Sequence, residues 1–85
     1  MVNLRHIDDT LDDIKKIIFY YADSIDYSDF IEKLEHILDI LELEKSGADE
    51  EKLNTISLLE CRARDYLAKA RTFQIRYLNQ ENENA

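Results

Sequence analysis

Apolar residues recur at alternating intervals of three and four positions through most of this 85-residue chain. Because an α-helix has about 3.6 residues per turn, such spacing places the apolar residues in one stripe along a helix. Alternation of apolar and polar residues, which is typical of a half-buried strand, is not found between turn signals. The sequence therefore predicts an all-α protein. The stripes comprise Leu4, Ile7, Leu11, Ile14, Ile18, Tyr21 and Ile25, then Tyr27, Phe30, Leu34, Ile37 and Leu41, and finally Ile56, Leu59, Ala63, Tyr66, Ala70, Phe73 and Tyr77.

Two short polar segments separate the three stripes. Residues 23–26 contain aspartate and serine, whose side chains cap helices. Ser46 precedes Gly47, the only glycine, which accepts the positive φ that is common just after a helix ends. The predicted elements are helices over residues 3–24, 28–46 and 49–79, within a single domain spanning residues 1–79, and a frayed polar tail over residues 80–85.

The predicted helices differ in length, because the chain contains no proline to end the third one early. At about 1.5 Å per residue the third would be roughly 45 Å long, against roughly 30 Å for each of the others. Short connections favour antiparallel neighbours, and an average spacing of 3.5 residues favours coiled-coil-like packing. We therefore expect an antiparallel up-down bundle of three helices, the third being the longest, that forms an oligomer.

Composition argues against several classes of function. The chain has 19 acidic and 11 basic residues and a net charge of −8, so most of its surface repels nucleic acid. A chain of this size buries only about 60–65% of its unfolded surface, which leaves little room for a catalytic cleft. One glycine cannot form a glycine-rich phosphate-binding loop. We expect neither direct nucleic-acid binding nor an enzyme.

Three features of the sequence could carry chemistry but have simpler explanations. Four aspartates within residues 8–13 resemble a metal motif, yet acidic residues are favoured in the first turns of any helix. His36 lies near acidic residues without a matching Glu-x-x-His pair of motifs. Cys61 lies in mid-helix with no histidine nearby in sequence. We expect no metal or other cofactor, and a metal-dependent enzyme using Asp8, Asp9, Asp12 and Asp13 is the weakest hypothesis.

The cysteine count and the apolar runs bear on location. A single cysteine cannot form an intrachain disulfide, and the first residues lack the features of a signal peptide. The uninterrupted apolar runs fall far short of the roughly 20 residues that span a bilayer. We therefore expect a cytoplasmic protein that does not bind a membrane.

The negative charge is concentrated on the second predicted helix, since residues 26–47 hold seven acidic and two basic residues. Four of the acidic residues recur at intervals of three and four opposite the apolar stripe, which places them in one outward row. Such a row is either a solvated face or a docking surface for a basic partner. This acidic row comprises Glu32, Glu35, Asp39 and Glu42.

The third predicted helix offers a contrasting surface, because basic and aromatic residues alternate in its second half. Those residue types are enriched at protein interfaces. The predicted interface comprises Tyr66, Lys69, Ala70, Arg71, Phe73, Arg76, Tyr77 and Leu78. Two alternatives stay open: the apolar members could belong to the core or cap the end of the bundle, and the basic ones could pair with acidic residues of the first two helices.

Several apolar residues lie outside the stripes, and a three-helix monomer would leave some of them exposed. They are Ile17, Phe19, Tyr20, Ile40, Leu43, Leu58, Ile75 and Leu78. We therefore expect a small helical protein-protein interaction module, an adaptor, inhibitor or chaperone-like subunit, that binds a protein partner or a second copy of itself. The alternative is an acidic antitoxin, immunity or anti-defence decoy that neutralises a basic nuclease or nucleic-acid-binding protein.

From Phe30 onward the chain has a Leu- and Glu-rich helix, the turn at Ser46 and Gly47, and a long final helix opened by residues 50–53. This hairpin resembles the small subunit of bacterial exodeoxyribonuclease VII. It is also similar to the two-helix co-chaperones of type III secretion needle subunits. Each resemblance covers less than two thirds of the chain and implies a weaker alternative, an accessory subunit of a larger enzyme or secretion complex.

Overall fold

A computed structural model describes residues 3–83 of the chain, and the side chains of residues 3–80. Within that range the protein consists of three α-helices, α1 (Leu4–Tyr21), α2 (Ser28–Glu44) and α3 (Glu50–Glu83). Residues 3–83 contain no strand. The prediction of an all-α protein with three helices, the third being the longest, is confirmed.

The helix ends differ from the predicted ones by a few residues. The helix α1 ends at Tyr21, before the predicted limit, and α2 ends at Glu44. No proline or glycine stops α3, which continues to Glu83, so the described part of the tail, residues 80–83, is helical rather than frayed. Residues 84 and 85 lie outside the described part of the chain.

Gly47 separates α2 from α3, as the sequence predicts. Its φ is +78°, a backbone conformation that costs glycine little, and a Cβ at this position would meet no atom within 4 Å. The next helix is capped by Asp49, whose Oδ1 accepts a hydrogen bond of 2.8 Å from the backbone N–H of Lys52. A glycine followed by an aspartate thus reverses the chain within a few residues.

The core is formed by the predicted stripes, and α3 contacts both other helices. The buried side chains of α1 and α2 pack around residues of α3 that include the alanines Ala63 and Ala70, each fully buried. Because an alanine side chain is short, it lets a neighbouring helix approach closely. The buried apolar residues are Ile7, Leu11, Ile14, Ile18, Tyr27, Leu34, Ile37, Leu41, Ile56, Leu59, Ala63, Tyr66, Leu67 and Ala70.

Tyr27 ties the connection between α1 and α2 to α3. Its ring is fully buried, and its hydroxyl donates a hydrogen bond of 2.5 Å to the backbone oxygen of Ala22. Its backbone N–H donates to Oε1 of Gln74 at 2.5 Å, and Nε2 of Gln74 donates to Oδ1 of Asp26 at 2.8 Å. Ala22, whose oxygen accepts the bond from the Tyr27 hydroxyl, has a φ of +46°, a conformation that costs a non-glycine residue about 1–3 kcal/mol.

Gln74 of α3 contacts the residues just before α2. The part of α3 that follows Gln74 therefore has no part of α2 beside it. With 34 residues α3 is about 51 Å long, which matches the longest dimension of the protein, 52 Å. The shorter helices α1 and α2 have 18 and 17 residues. Residues 75–83, here called the α3 extension, therefore project past the beginning of α2.

We predict that Tyr27→Phe lowers the free energy of unfolding by about 1 kcal/mol, because it removes one buried hydrogen bond while keeping the ring. Burial, with a smaller contribution from Asp23, raises the pKa of the Tyr27 phenol above its ordinary value of 10.0. A raised folded-state pKa gives stability that is fully present below pH 10 and is lost as the pH rises through the folded value.

The stability of Tyr27→Phe should therefore fall less steeply above pH 10 than that of the unmutated protein. Urea unfolding followed by circular dichroism at neutral and alkaline pH measures both effects. Tyr20→Phe is the matched control, since the Tyr20 side chain is 82% exposed. Equal behaviour of the two variants would contradict the importance of the Tyr27 hydroxyl.

Candidate functional site

The predicted interface on α3 divides between the core and the surface. Tyr66 and Ala70 are buried, with 8% and 0% of their surface exposed, so their inclusion in the interface is wrong. Both lie on the side of α3 that faces the shorter helices, where the apolar stripe is covered within a single chain. The alternative interpretation, that apolar members of the set belong to the core, holds for these two residues.

Phe73 and Tyr77 are half-buried at the end of the core. The Phe73 ring lies 6.0 Å from the ring of Tyr27, measured between centroids, which is within the range of favourable aromatic contacts. The guanidinium of Arg76 also lies over the Phe73 ring, 5.9 Å from its centroid, which is a cation–π distance. Phe73 therefore caps the core and offers only part of its ring to a partner.

Two of the basic residues in the predicted interface form ion pairs within the chain. Nζ of Lys69 lies 3.1 Å from Oδ2 of Asp65, one turn earlier on the same helix. Nη2 of Arg71 lies 3.5 Å from Oε1 of Glu35 on α2. Because all four side chains are more than half exposed, these pairs add little stability and leave the charges accessible.

The large apolar side chains that stay exposed at this end of the bundle come from two helices. On α1, Phe19 is 85% exposed and Tyr20 is 82% exposed. On the α3 extension, Ile75 is 61% exposed and Leu78 is 46% exposed. Of these four, only Leu78 belongs to the predicted interface. The sequence does mark the other three as apolar residues outside the stripes, which is the signal that could have placed them in the site.

A groove between α1 and α3 lies next to these exposed side chains. Its walls combine the aromatic rings of Phe19 and Phe73 with the charged groups of Lys15, Asp65 and Lys69. We call it the α1–α3 groove; its lining comprises Lys15, Ile18, Phe19, Ala22, Asp65, Tyr66, Lys69 and Phe73.

The acidic row on α2 is exposed along its whole length, as predicted. Glu35 contacts Arg71, and Oε2 of Glu42 lies 3.0 Å from Nζ of Lys45. Glu32 and Asp39 form no ion pair with any residue in the described part of the chain. The row therefore keeps two carboxylates that no cation among the described side chains neutralises.

The aspartates of α1 do form a compact cluster. Carboxylate oxygens of Asp8, Asp9 and Asp12 lie within 4.8 Å of one another. The guanidinium of Arg62 on α3 contacts Asp8, and its Nη2 donates to Oδ1 of Asp12 at 2.5 Å. Arg62 thus supplies the positive charge that a metal ion would bring, and it joins α1 to α3.

The environment of Arg62 has two opposing effects on its pKa. Burial lowers the pKa, while hydrogen bonds to the Tyr66 hydroxyl and to Asp12 raise it; the net effect is a pKa above its ordinary value. The side chain also lies over the Tyr66 ring at 5.6 Å from the centroid. Arg62 is therefore a fixed positive charge between α1 and α3.

Glu60 is a buried charge that sequence reasoning missed. Only 4% of its surface is exposed, and its Oε1 lies 2.9 Å from Nζ of Lys45 while its Oε2 lies 3.5 Å from Nη2 of Arg64. The hydrogen bond to Glu60, followed by that to Glu42, raises the pKa of Lys45. The sequence position of Glu60 could have indicated its burial, because Glu60 directly follows Leu59 on the buried side of α3.

The remaining sequence candidates, His36 and Cys61, are exposed, and neither belongs to the aspartate cluster found within residues 3–80. Comparisons of the chain with models of protein families, with curated proteins and with solved structures gave no match. Over the described residues, no helix combines the length and apolar character needed to cross a membrane.

We predict that Arg62→Gln lowers the free energy of unfolding by about 1 kcal/mol, because three close carboxylates lose their cation. The difference should shrink in high salt, which screens the repulsion among Asp8, Asp9 and Asp12. Arg64→Gln is the control, since the Arg64 side chain is 64% exposed and its contact with Glu60 is long, at 3.5 Å. Thermal unfolding at low and high salt measures both variants, and equal losses would contradict this interpretation of Arg62.

Proposed function

We propose that this protein is a small, non-enzymatic helical module that binds a protein partner through helix faces, as an adaptor, inhibitor or chaperone-like subunit. The observation that supports the proposal is the exposure of large apolar side chains where α1 ends and the α3 extension begins. Phe19, Tyr20, Ile75 and Leu78 all lie at this end. Phe19 and Tyr20 line one pocket with Ile17 and Tyr21, and apolar patches of this kind usually mark an interface.

The energetic argument concerns the area that a partner would remove from water. Each Å² of apolar surface that becomes buried contributes about 25 cal/mol, so the rings of Phe19 and Tyr20 alone offer several kcal/mol before the cost of association. The neighbouring Arg71 and Arg76 add a type of residue that is enriched at interfaces. Helix faces that offer apolar area and charged side chains, without a reactive group, are suited to binding a protein partner.

In this proposal the chain acts in the cytoplasm as an up-down helical bundle with coiled-coil-like packing, and its surfaces assemble with a partner or a second copy. The order of the contacts between α2 and α3 supports an antiparallel arrangement of these two helices. Glu44 near the end of α2 contacts Lys52 near the start of α3, whereas Tyr27 before α2 contacts Gln74 late in α3.

We predict that the double variant Ile75→Asp and Leu78→Asp keeps its helical content but loses most partner binding, because charges at an apolar interface must be desolvated. Affinity capture from the native lysate, quantified by mass spectrometry, compares this variant with the unmutated chain. Leu58→Asp is the matched control, because Leu58 is 69% exposed but lies far from the extension.

The proposal requires proteins that the unmutated chain and the Leu58→Asp control retain and that the double variant loses. Equal retention by all three chains would contradict it. Circular dichroism of each chain checks that helical content is unchanged, so that lost capture reports a lost surface rather than lost folding.

A second candidate function rests on the acidic row. The unpaired carboxylates of Glu32 and Asp39 on an exposed helix face support an acidic decoy that occupies the nucleic-acid site of a basic protein. Such a complex depends on charge attraction, which salt screens.

We predict for this second function that Glu32→Gln and Asp39→Asn together weaken capture of a basic nuclease or nucleic-acid-binding protein by about tenfold or more at low salt. Raising the salt concentration should release that protein from the unmutated chain. The substitutions preserve side-chain size and leave the core untouched. Binding that neither the double variant nor salt affects would contradict the decoy function.

A further inference from the structure

Two surfaces of the protein each carry charged side chains of one sign that form no ion pair with the residues that the structure describes. Lys15, which lines the α1–α3 groove, and its neighbour Lys16 form no ion pair with any residue that the structure describes. The same is true of Glu32 and Asp39 in the acidic row. The groove is lined by α1 and α3 alone, so the row on α2 cannot fill the groove of its own chain.

Each surface also carries an exposed apolar side chain one helical turn beyond a charged one. On α1, Phe19 follows Lys15 by four residues and is 85% exposed. On α2, Leu43 follows Asp39 by four residues and is 76% exposed. Residues four apart lie on the same face of a helix, about 6 Å apart along its axis. The spacing from charge to apolar group is therefore the same on the two surfaces.

We propose that the α1–α3 groove of one copy binds the acidic row and Leu43 of a second copy. In this arrangement Asp39 of the second copy lies against Lys15, and Leu43 lies against Phe19 and the accessible part of Phe73. Burial of Phe19 and Leu43 removes two of the most exposed apolar side chains of the chain from water. The charge pairs fix the register of the two helices.

This contact is heterologous, because it joins two different surfaces of identical chains. Each bound pair still presents one empty groove and one free row, so association continues head to tail until the assembly closes into a ring or grows as a chain. The average mass should therefore rise with protein concentration. The inference rests on the proposed function, since it names a second copy as one partner of the same kind of helix face.

Two charge-reversal variants test the contact. The groove variant is Lys15→Glu with Lys16→Glu, and the row variant is Glu32→Lys with Asp39→Lys. Each substitution changes the charge by two, so the net charge goes from −8 to −12 in the groove variant and to −4 in the row variant. Because none of the four side chains has an ion-pair partner within the described part of the chain, both variants should fold.

The mass of each chain is measured by sedimentation velocity over a range of concentrations. We expect the unmutated chain to associate and each variant alone to associate about tenfold or more weakly. The row variant separates this contact from simple charge repulsion. If net charge alone controlled association, a chain at −4 would associate more strongly than the unmutated chain, not less.

A mixture of the two variants completes the test. The groove variant keeps an intact row and the row variant keeps an intact groove, and the two reversed surfaces are again opposite in charge, so the mixture should associate in alternating order although each variant alone associates weakly. Leu43→Ser and Phe19→Ser should each weaken association of the otherwise unmutated chain. The inference is overturned if the unmutated chain is monomeric at every concentration, if the row variant associates as strongly, or if the mixture stays monomeric.

The outcome is distinguishable from that of the proposed function. Failure of self-association would leave capture through Ile75 and Leu78 untouched, because those residues lie outside the groove lining and the acidic row. Conversely, loss of capture in the Ile75→Asp and Leu78→Asp variant with an unchanged dependence of mass on concentration would support the proposed function and leave the self-contact intact. Both surfaces are thus tested separately in the full chain.

Discussion

Burial of one face of α3 is the constraint on which the rest of the structure depends. Both shorter helices pack against α3, and Ala63 and Ala70 at its centre let them approach closely. Three bonded contacts then fix the neighbours in place: Arg62 holds the start of α1, the Lys45–Glu60 pair holds the end of α2, and Gln74 holds Tyr27 at the connection. Because α3 is longer than either partner, a correctly packed core necessarily leaves its last turns uncovered.

That mismatch in length connects folding to binding. Small helical proteins bury a limited share of their surface, so apolar residues beyond the last core layer stay in contact with water unless another molecule covers them. Here the uncovered turns of α3 lie at the end of the bundle where α1 ends, and the acidic row lies on a different helix, α2. The separation of the exposed apolar side chains from the acidic row is the property on which the proposed binding function depends.

Sequence periodicity predicts the helices and most of the core, because a stripe at intervals of three and four can be buried in only one way. Glycine chemistry likewise predicts the turn at Gly47. Periodicity cannot tell which stripe positions a chain covers by itself, and for that reason the interface predicted on α3 includes Tyr66 and Ala70 although they lie in the core. The Lys45–Glu60 pair and the bond between Tyr27 and Gln74 join residues that are far apart in the sequence, 47 positions in the second case, which no local pattern reveals.

The central claim, that the end formed by α1 and the α3 extension is a binding surface, is tested most directly by hydroxyl-radical footprinting of the full chain inside its native cells and in purified dilute form. The account predicts that Phe19, Tyr20, Ile75 and Leu78 are oxidised more slowly in cells, whereas exposed Leu53, at the opposite end of α3, reacts equally in both. Equal oxidation of the four side chains in cells and in dilute solution would contradict the claim.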